Sequence, residues 1–138
     1  MTHIDNVIYT AKARSTGGRD GASRSSDGRL EVKLSRPGST GAGTNPEQLF
    51  AAGWSACFIS SMEVVARRKG ITLPADVAVD AEVDLGTAGG AFLLRGRLDV
   101  SLPGMERGAA EALVKAGHEV CPYSRAVHGN IDVAVNLI

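Results

Sequence analysis

Apolar and polar residues alternate most clearly in the second half of the chain. Valine and leucine alternate with acidic residues over 77–85, and leucine and valine return over 94–102. A glycine-rich turn at 86–90 separates the two runs, which predicts a long antiparallel hairpin with one solvated face. The polar face carries charged residues that can pair across the strands: Asp80, Glu82, Asp84, Arg95 and Arg97.

Weaker alternation predicts three further strands, over 7–14, 30–34 and 131–137. The segment between the first two, STGGRDGASRSSDG, contains Gly-Gly and Asp-Gly pairs, which are typical of chain reversals. We therefore expect turns and no regular structure over 15–28.

A long first helix is predicted over the segment that begins near residue 44 and ends at a glycine, residue 70. Thr44 or Asn45 can cap it, Pro46 suits the first helical position, and Thr44 and Glu47 have the spacing of a capping box. The middle of this segment is apolar nearly all round, so we expect it to be buried on most sides.

A second helix is predicted from apolar residues at helical spacing over 105–120, and Pro122 is expected to end it. Cys121 then lies at or just past the helix end, beside a polar segment, YSRAVHGN, that we interpret as a loop. In such a place its thiol would be mobile and reachable. The element order β-β-α-β-β-α-β predicts one α+β domain over 1–138.

Composition excludes several classes of function. Fifteen basic and fifteen acidic residues cancel, and no basic stripe with interleaved aromatics appears, which argues against nucleic-acid binding. The longest uncharged run, 48–62, is shorter than the roughly 20 residues of a membrane span. The first residues lack the pattern of a secretory signal. We therefore expect a cytoplasmic protein without a membrane partner.

The two cysteines are the candidate chemistry. In a reducing compartment, thiols are more often reduced or redox-active than joined in structural disulfides. Cys57 stands in the uncharged stretch AGWSACFIS, where it is either an inert small hydrophobe or a reactive thiol with small neighbours around it. A reactive thiolate in apolar surroundings needs a nearby cation to lower its pKa.

Arg67 and Arg68 are poor candidates for that cation, because ten or more residues of helix put them about 15 Å from Cys57. Arg19, in a glycine-bounded turn, is a better candidate, although the sequence pattern alone favours a solvent-exposed turn residue. Glu47 is also about 15 Å from Cys57 along the helix. It is either a helix-start carboxylate or the partner of an arginine, which can belong to a second copy of the chain.

Metal and nucleotide sites are not predicted. His118 and Cys121 are three residues apart and His128 follows, but no paired Cys-x-x-Cys or His-x-x-x-His completes a ligand set. The GTAGG segment lies in a hairpin turn with no helix after it, so it does not match a phosphate-binding loop.

Three separated blocks, TGGRDG, GTNPEQLFAAGWSACF and VCPYSRAVHGNIDV, resemble the organic hydroperoxide resistance (Ohr) branch of the Ohr/OsmC superfamily. The resemblance spans nearly the whole chain, and VCPYS favours the Ohr branch over the OsmC branch. It implies an OsmC-like α+β fold, with antiparallel sheets around a buried central helix and an intertwined homodimer.

The resemblance also implies a thiol peroxidase with its active sites at the subunit interface. Cys57 resembles the peroxidatic nucleophile and Cys121 the resolving thiol, which join in a disulfide after peroxide attack. Arg19 resembles the activating cation and Glu47 the carboxylate that holds it, with the pair and the thiols in different subunits. The implied oxidants are organic and fatty-acid hydroperoxides. The implied reductant is external dihydrolipoamide or a lipoylated protein, with no bound cofactor.

The apolar residues near Cys57 are candidates for the substrate pocket, although Phe50, Trp54 and Phe58 are equally explained as ordinary core. Trp54 departs from the tyrosine usual in the family, and SRAVHGN, residues 124–130, departs from SNATRGN. These departures bear on substrate range and on docking of the reductant.

Three alternative functions remain open from the sequence. The first is an OsmC-type peroxidase with broader use of hydrogen peroxide. The second is a non-catalytic dimeric module that binds a lipid-like ligand in its apolar interface. The third is a protein in which the two cysteines form a purely structural disulfide.

Overall fold

A small antiparallel sheet organises residues 1–46, the first of two compact units in the computed structural model, which describes the whole chain. Its strands are β1 (Ala13–Thr16), β2 (Ala22–Ser25) and β3 (Glu31–Lys33), in the order β1-β2-β3. A single 3-10 turn, Gly18–Asp20, joins the first two strands. Residues 47–138 form the second unit.

Two expectations for the first unit are wrong. Of the strand expected over 7–14, only residues 13 and 14 lie in β1. Residues 1–12 are exposed outside any strand. The expected turn region contains β2, whose sequence ASRS has no apolar alternation to reveal it. This strand forms because both of its edges are hydrogen-bonded to neighbouring strands.

The second unit combines one sheet with three helices and confirms the α+β class. Its elements are α1 (Pro46–Arg68), β4 (Ala78–Ala88), β5 (Ala91–Ser101), α2 (Arg107–Val120), α3 (Pro122–Val127) and β6 (Val133–Leu137). The β4–β5 hairpin is antiparallel, as predicted, but β6 pairs with β5 in parallel. The expectation of purely antiparallel sheets is therefore wrong for this edge. A single domain over 1–138 stays a prediction.

The charged face of the hairpin pairs largely as predicted. Arg95 contacts Asp84 at 2.7 Å and Arg97 contacts Glu82 at 2.5 Å. Asp80 instead lies opposite another acidic residue of β5. These pairs are exposed, so each contributes little to stability, and their main effect is to favour one register.

The core of the second unit forms around α1. This helix starts at Pro46 as predicted, and it is long and apolar enough by composition to cross a membrane. Core helices of soluble proteins share this length and composition, and α1 supplies core residues here. Only 33% of its most apolar stretch is buried within one chain, which is less than the burial on most sides that we expected. Its buried residues are Trp54, Phe58, Ser61, Met62, Val65 and Ala66.

The junction between α2 and α3 differs from the predicted polar loop. Pro122 begins a new helix, since its ring suits the first helical position. The N–H of Cys121 donates to the carbonyl of Gly117, and its own carbonyl accepts from the N–H of Arg125, both at 2.9 Å. Cys121 is fully buried. The expectation of a mobile, reachable thiol at this position is therefore wrong.

Close packing of β5 against α1 predicts a cost for any side chain at Gly96, because an added methyl group would overlap the six-membered ring of Trp54. We expect Gly96→Ala to lower the free energy of unfolding by about 1–3 kcal/mol in urea denaturation. Gly86→Ala is the matched control, since open space surrounds that glycine of the same hairpin. Equal losses in the two variants would contradict this packing argument.

Candidate active site

The structure brings the two thiols together. Cys57 lies in the middle of α1, and Cys121 lies between α2 and α3. Both cysteines are free, and Cys121 lies close enough to Cys57 to raise the pKa of the Cys57 thiol. Cys57 is half-buried, whereas Cys121 is fully buried, so Cys57 is the thiol that solutes can reach.

The surroundings of Cys57 oppose its ionisation. Burial is the largest cause that raises the pKa of the Cys57 thiol, and the neighbouring Cys121 raises it further. The peptide N–H of Tyr123 and the nearby hydroxyl of Ser61 both lower the pKa, but the net shift is upward. No cation is among these groups. Within the second unit, the Cys57 thiol therefore lacks a group strong enough to hold it as a thiolate.

Ser61, one of the small residues near Cys57, is a site residue that the sequence analysis did not single out. Its buried hydroxyl donates to the backbone carbonyl of Cys57 at 2.9 Å, which fixes it one turn along α1 on the side of the thiol. The signal that could have found it is the four-residue spacing from Cys57. The Tyr123 contact uses a backbone amide, so no side-chain pattern could have revealed it.

Of the three predicted pocket residues, only Phe50 retains exposed surface. Trp54 and Phe58 are fully buried in the core, and Phe50 is half-buried. The Phe50 ring makes edge contacts with Trp54 and Tyr123, both with centroids 5.7 Å apart. A side chain at Gly53 would overlap the Tyr123 hydroxyl unless the tyrosine side chain moved. A pocket role for the three residues stays a prediction.

Trp54 also joins α1 to α3. Its indole Nε1–H donates to the hydroxyl of Ser124 at 3.0 Å, and both side chains are buried. Trp54 precedes Cys57 by three residues and Ser124 follows Cys121 by three. The hydrogen bond therefore lies one helical turn from each thiol.

Arg19 and Glu47 are held in defined local structures, in separate units of the chain. Arg19 is half-buried on the 3-10 turn, whose next residue, Asp20, pairs with Arg36 at 2.8 Å. The backbone also approaches Gly21 too closely for any side chain there. Glu47 lies in the first turn of α1. Their roles at Cys57 stay predictions.

Residues 124–130, which differ from the usual family sequence, line part of a cleft of about 610 Å³ beside α2 and α3. Its lining residues are Lys115, His118, Glu119, Ser124, Arg125 and His128. Burial lowers the pKa of His118, as does the charge of His128. Nδ1 of His118 is buried without a hydrogen-bond partner. No three potential metal-binding side chains come together anywhere in the chain.

Comparison with known proteins identifies the family. A family model described as OsmC-like protein matches residues 38–136. The chain belongs to the OsmC family. Within it, the chain is 47% identical to an organic hydroperoxide resistance protein of Xanthomonas axonopodis pv. citri, over 99% of both chains. It is 40% identical to the organic hydroperoxide resistance protein OhrA of Bacillus subtilis, over 97% of this chain and 99% of that protein.

Solved structures place this OsmC-family chain in the same branch. The organic hydroperoxide resistance protein OhrB of Bacillus subtilis superposes with a TM-score of 0.90 at 39% identity, over 96% of this chain and 100% of that one. A Legionella pneumophila organic hydroperoxide resistance protein gives 0.89 at 43% identity, over 96% and 98%. An OsmC-like protein of Mycoplasma pneumoniae shares the fold at 18% identity and a TM-score of 0.76, over 96% and 98%. The chain therefore groups with the organic hydroperoxide resistance proteins.

The contact between Ser61 and the thiol predicts a change in reactivity. We expect Ser61→Ala to raise the pKa of Cys57, because the lost hydroxyl favours the thiolate. Alkylation by iodoacetamide at neutral pH should slow roughly two- to tenfold, and its pH profile should move to higher pH. The measurement uses a Cys121→Ser background, so that a single thiol reports.

Ser55→Ala is the matched control for this experiment. Ser55 makes the same type of bond on the same helix, donating to the carbonyl of Ala51 at 2.9 Å, and is not among the groups that act on Cys57. It should leave the alkylation profile unchanged. Identical profiles for Ser61→Ala and the parent protein would show that the hydroxyl has no effect on the thiolate.

Proposed function

We propose that this OsmC-family chain is a thiol-dependent peroxidase that reduces organic and fatty-acid hydroperoxides to alcohols. The observation that carries the proposal is the contact between two free thiols, one half-buried and one fully buried. Such a pair can form a disulfide and be reduced again by thiol–disulfide exchange. The names of its relatives, organic hydroperoxide resistance proteins, support this class of oxidant.

The reaction follows from sulfur chemistry. The Cys57 thiolate attacks the O–O bond of the hydroperoxide and takes one oxygen as a sulfenic acid, while the other leaves as an alkoxide and is protonated to the alcohol. The Cys121 thiol then displaces the hydroxyl group as water and forms the Cys57–Cys121 disulfide. An external dithiol reduces this disulfide by exchange through a mixed disulfide.

Exposure supports the assignment of the two roles. A hydroperoxide reaches Cys57 more readily than Cys121, because only Cys57 retains accessible surface. The same asymmetry directs the reductant to Cys57, with Cys121 as the leaving thiol. We propose dihydrolipoamide or a lipoylated protein as this reductant, with no bound cofactor, in the cytoplasm, where dithiols are kept reduced.

The raised pKa of Cys57 creates the need for an activating cation. We assign this role to Arg19, which would stabilise both the thiolate and the negative charge on the departing alkoxide. Glu47 would hold the guanidinium by a charge-assisted hydrogen bond. Because α1 separates Glu47 from Cys57 by about 15 Å, we propose that the Arg19–Glu47 pair acts on the Cys57 of a second copy.

A homodimer is supported by apolar surface that one chain leaves uncovered. Only 33% of the most apolar stretch of α1 is buried within the chain. Small residues are exposed along α1 at intervals of one turn: Ala52, Ala56 and Ser60. Large apolar side chains are exposed near the start of the chain: Ile4, Val7, Ile8 and Tyr9. A second copy would bury this surface and complete two active sites.

The peroxidase proposal predicts turnover of cumene hydroperoxide with dihydrolipoamide as the reductant. The assay measures the decrease in peroxide concentration. We expect Cys57→Ser to abolish turnover and Cys121→Ser to stop the cycle after the sulfenic acid. Arg19→Ala should lower kcat/KM about 100-fold, since a charge contact to the developing oxyanion is lost. Arg29→Ala, which removes an exposed arginine of the same unit, is the control and should retain full activity.

Other outcomes point to the alternative functions. A higher kcat/KM for hydrogen peroxide than for the organic peroxide would favour the OsmC-type peroxidase. A protein that forms no Cys57–Cys121 disulfide with a stoichiometric peroxide would favour the lipid-binding module. A disulfide that resists dithiols in the folded protein would indicate a structural bond.

The dimer proposal predicts that a charge on the exposed face of α1 weakens association. We expect sedimentation to give the mass of two chains for the parent protein and a shift towards one chain for Ala52→Glu, because a buried unpaired carboxylate is costly. Ala112→Glu, at an exposed position of α2, is the matched control and should remain dimeric. A parent protein that sediments as a single chain would overturn the proposal.

A further inference from the structure

Trp54 and Ser124 form a buried hydrogen bond that the peroxidase mechanism does not use. The indole N–H and the hydroxyl are 3.0 Å apart, and both side chains are buried in the core. A buried indole N–H needs an acceptor, since leaving it unpaired is costly. Ser124 meets this need from α3, the helix that begins directly after Cys121.

The Trp54 ring is fixed on its other sides, so the bond holds α3 to a rigid partner. Gly96 of β5 lies against the ring without room for a side chain. Phe50 contacts the ring edge-on, at 89° between planes. Movement of the ring would therefore disturb β5 and α1 together.

The Trp54–Ser124 hydrogen bond also constrains the start of α3, next to Cys121. The Ser124 carbonyl accepts from the N–H of His128, which ties the hydroxyl-bearing residue into the short helix. Tyr123, the preceding residue, directs its peptide N–H at the Cys57 sulfur. Cys121 contacts the same sulfur. A shift of Ser124 away from Trp54 would move these groups away from Cys57.

We propose that the Trp54–Ser124 hydrogen bond is a positioning device that holds the Cys121 thiol against Cys57, and so sets the rate at which Cys121 resolves an oxidised Cys57. The proposal rests on the proposed function for its purpose, although the positioning itself can be measured without peroxide. Two reactions compete for the sulfenic acid. Attack by the Cys121 thiol gives the disulfide and water, whereas a second hydroperoxide gives the sulfinic acid and an alcohol.

Close placement favours the first reaction, because a held thiol reacts at a high effective concentration. Loosening of α3 lowers that concentration and leaves the sulfenic acid exposed to the second peroxide. Trp54 and Ser124 are therefore positioning residues that protect Cys57 from irreversible oxidation. Neither side chain needs to touch the peroxide.

The test measures resolution with dithiodipyridine, an aromatic disulfide that replaces peroxide. The Cys57 thiolate cleaves it, forms a mixed disulfide and releases one coloured thione. Cys121 then attacks the Cys57 sulfur, forms the internal disulfide and releases a second thione. Stopped-flow absorbance follows the two releases separately in the parent protein, Trp54→Phe and Ser124→Ala.

We expect both variants to slow the second release roughly three- to tenfold, the loss expected for one buried hydrogen bond, and to slow the first release much less than the second. The double variant should slow it no more than either single variant, because both remove the same bond. Val100→Ala, which removes buried core volume elsewhere on β5, is the control for general loosening. Equal second-release rates in the parent protein and Ser124→Ala would overturn the proposal, as would equal slowing by Val100→Ala.

A second arm uses cumene hydroperoxide at increasing excess and intact-mass measurement of Cys57. The fraction of chains with a sulfinic acid, which gain two oxygens, should rise in Trp54→Phe and Ser124→Ala. The comparison is with the fraction that forms the disulfide, which loses two hydrogens. A chain that resolves the aromatic disulfide as expected but does not react with peroxide would overturn the proposed peroxidase function and leave the positioning role intact. Ser124→Ala changes only one oxygen, so it keeps the test decisive if Trp54→Phe does not fold.

Discussion

Burial of a thiol in the middle of an apolar helix is the constraint on which the proposed chemistry depends. α1 must be apolar to build the core of the second unit, and a charged residue beside Cys57 would disrupt that packing. The same burial raises the pKa of the thiol. Core formation and thiol activation therefore make opposite demands on one helix, and the cation that we propose from outside α1 would satisfy both.

The second thiol is placed by helix ends rather than by a loop. Cys121 closes α2 and precedes Pro122, and α3 contacts α1 through Tyr123 and Ser124. The backbone of Cys121 is bonded on both sides, so its position is as fixed as that of any core residue. Rapid disulfide formation needs short reach, and a fixed junction supplies it. A mobile loop would supply only occasional contact.

Elements with strong apolar periodicity were predictable from the sequence. The β4–β5 hairpin and both long helices follow from alternation and helical spacing. β2 and α3 were missed, because strand pairing and a proline at a helix start create them from polar sequence. The parallel direction of β6 depends on the path of the chain after α3, which periodicity does not encode.

The candidate site was predictable only in part. Contact between Cys57 and Cys121 depends on tertiary packing, and before the structure it rested on the family resemblance alone. The hydroxyls of Ser61 and Ser124 look like ordinary small residues until their partners are known. The roles of Arg19 and Glu47 remain predictions of the resemblance.

The ring of Trp54 lies directly against the backbone of Gly96, so the size of one residue limits the size of the other across the family. The two positions should change together, with a smaller ring at the first position making space for a methyl group at the second.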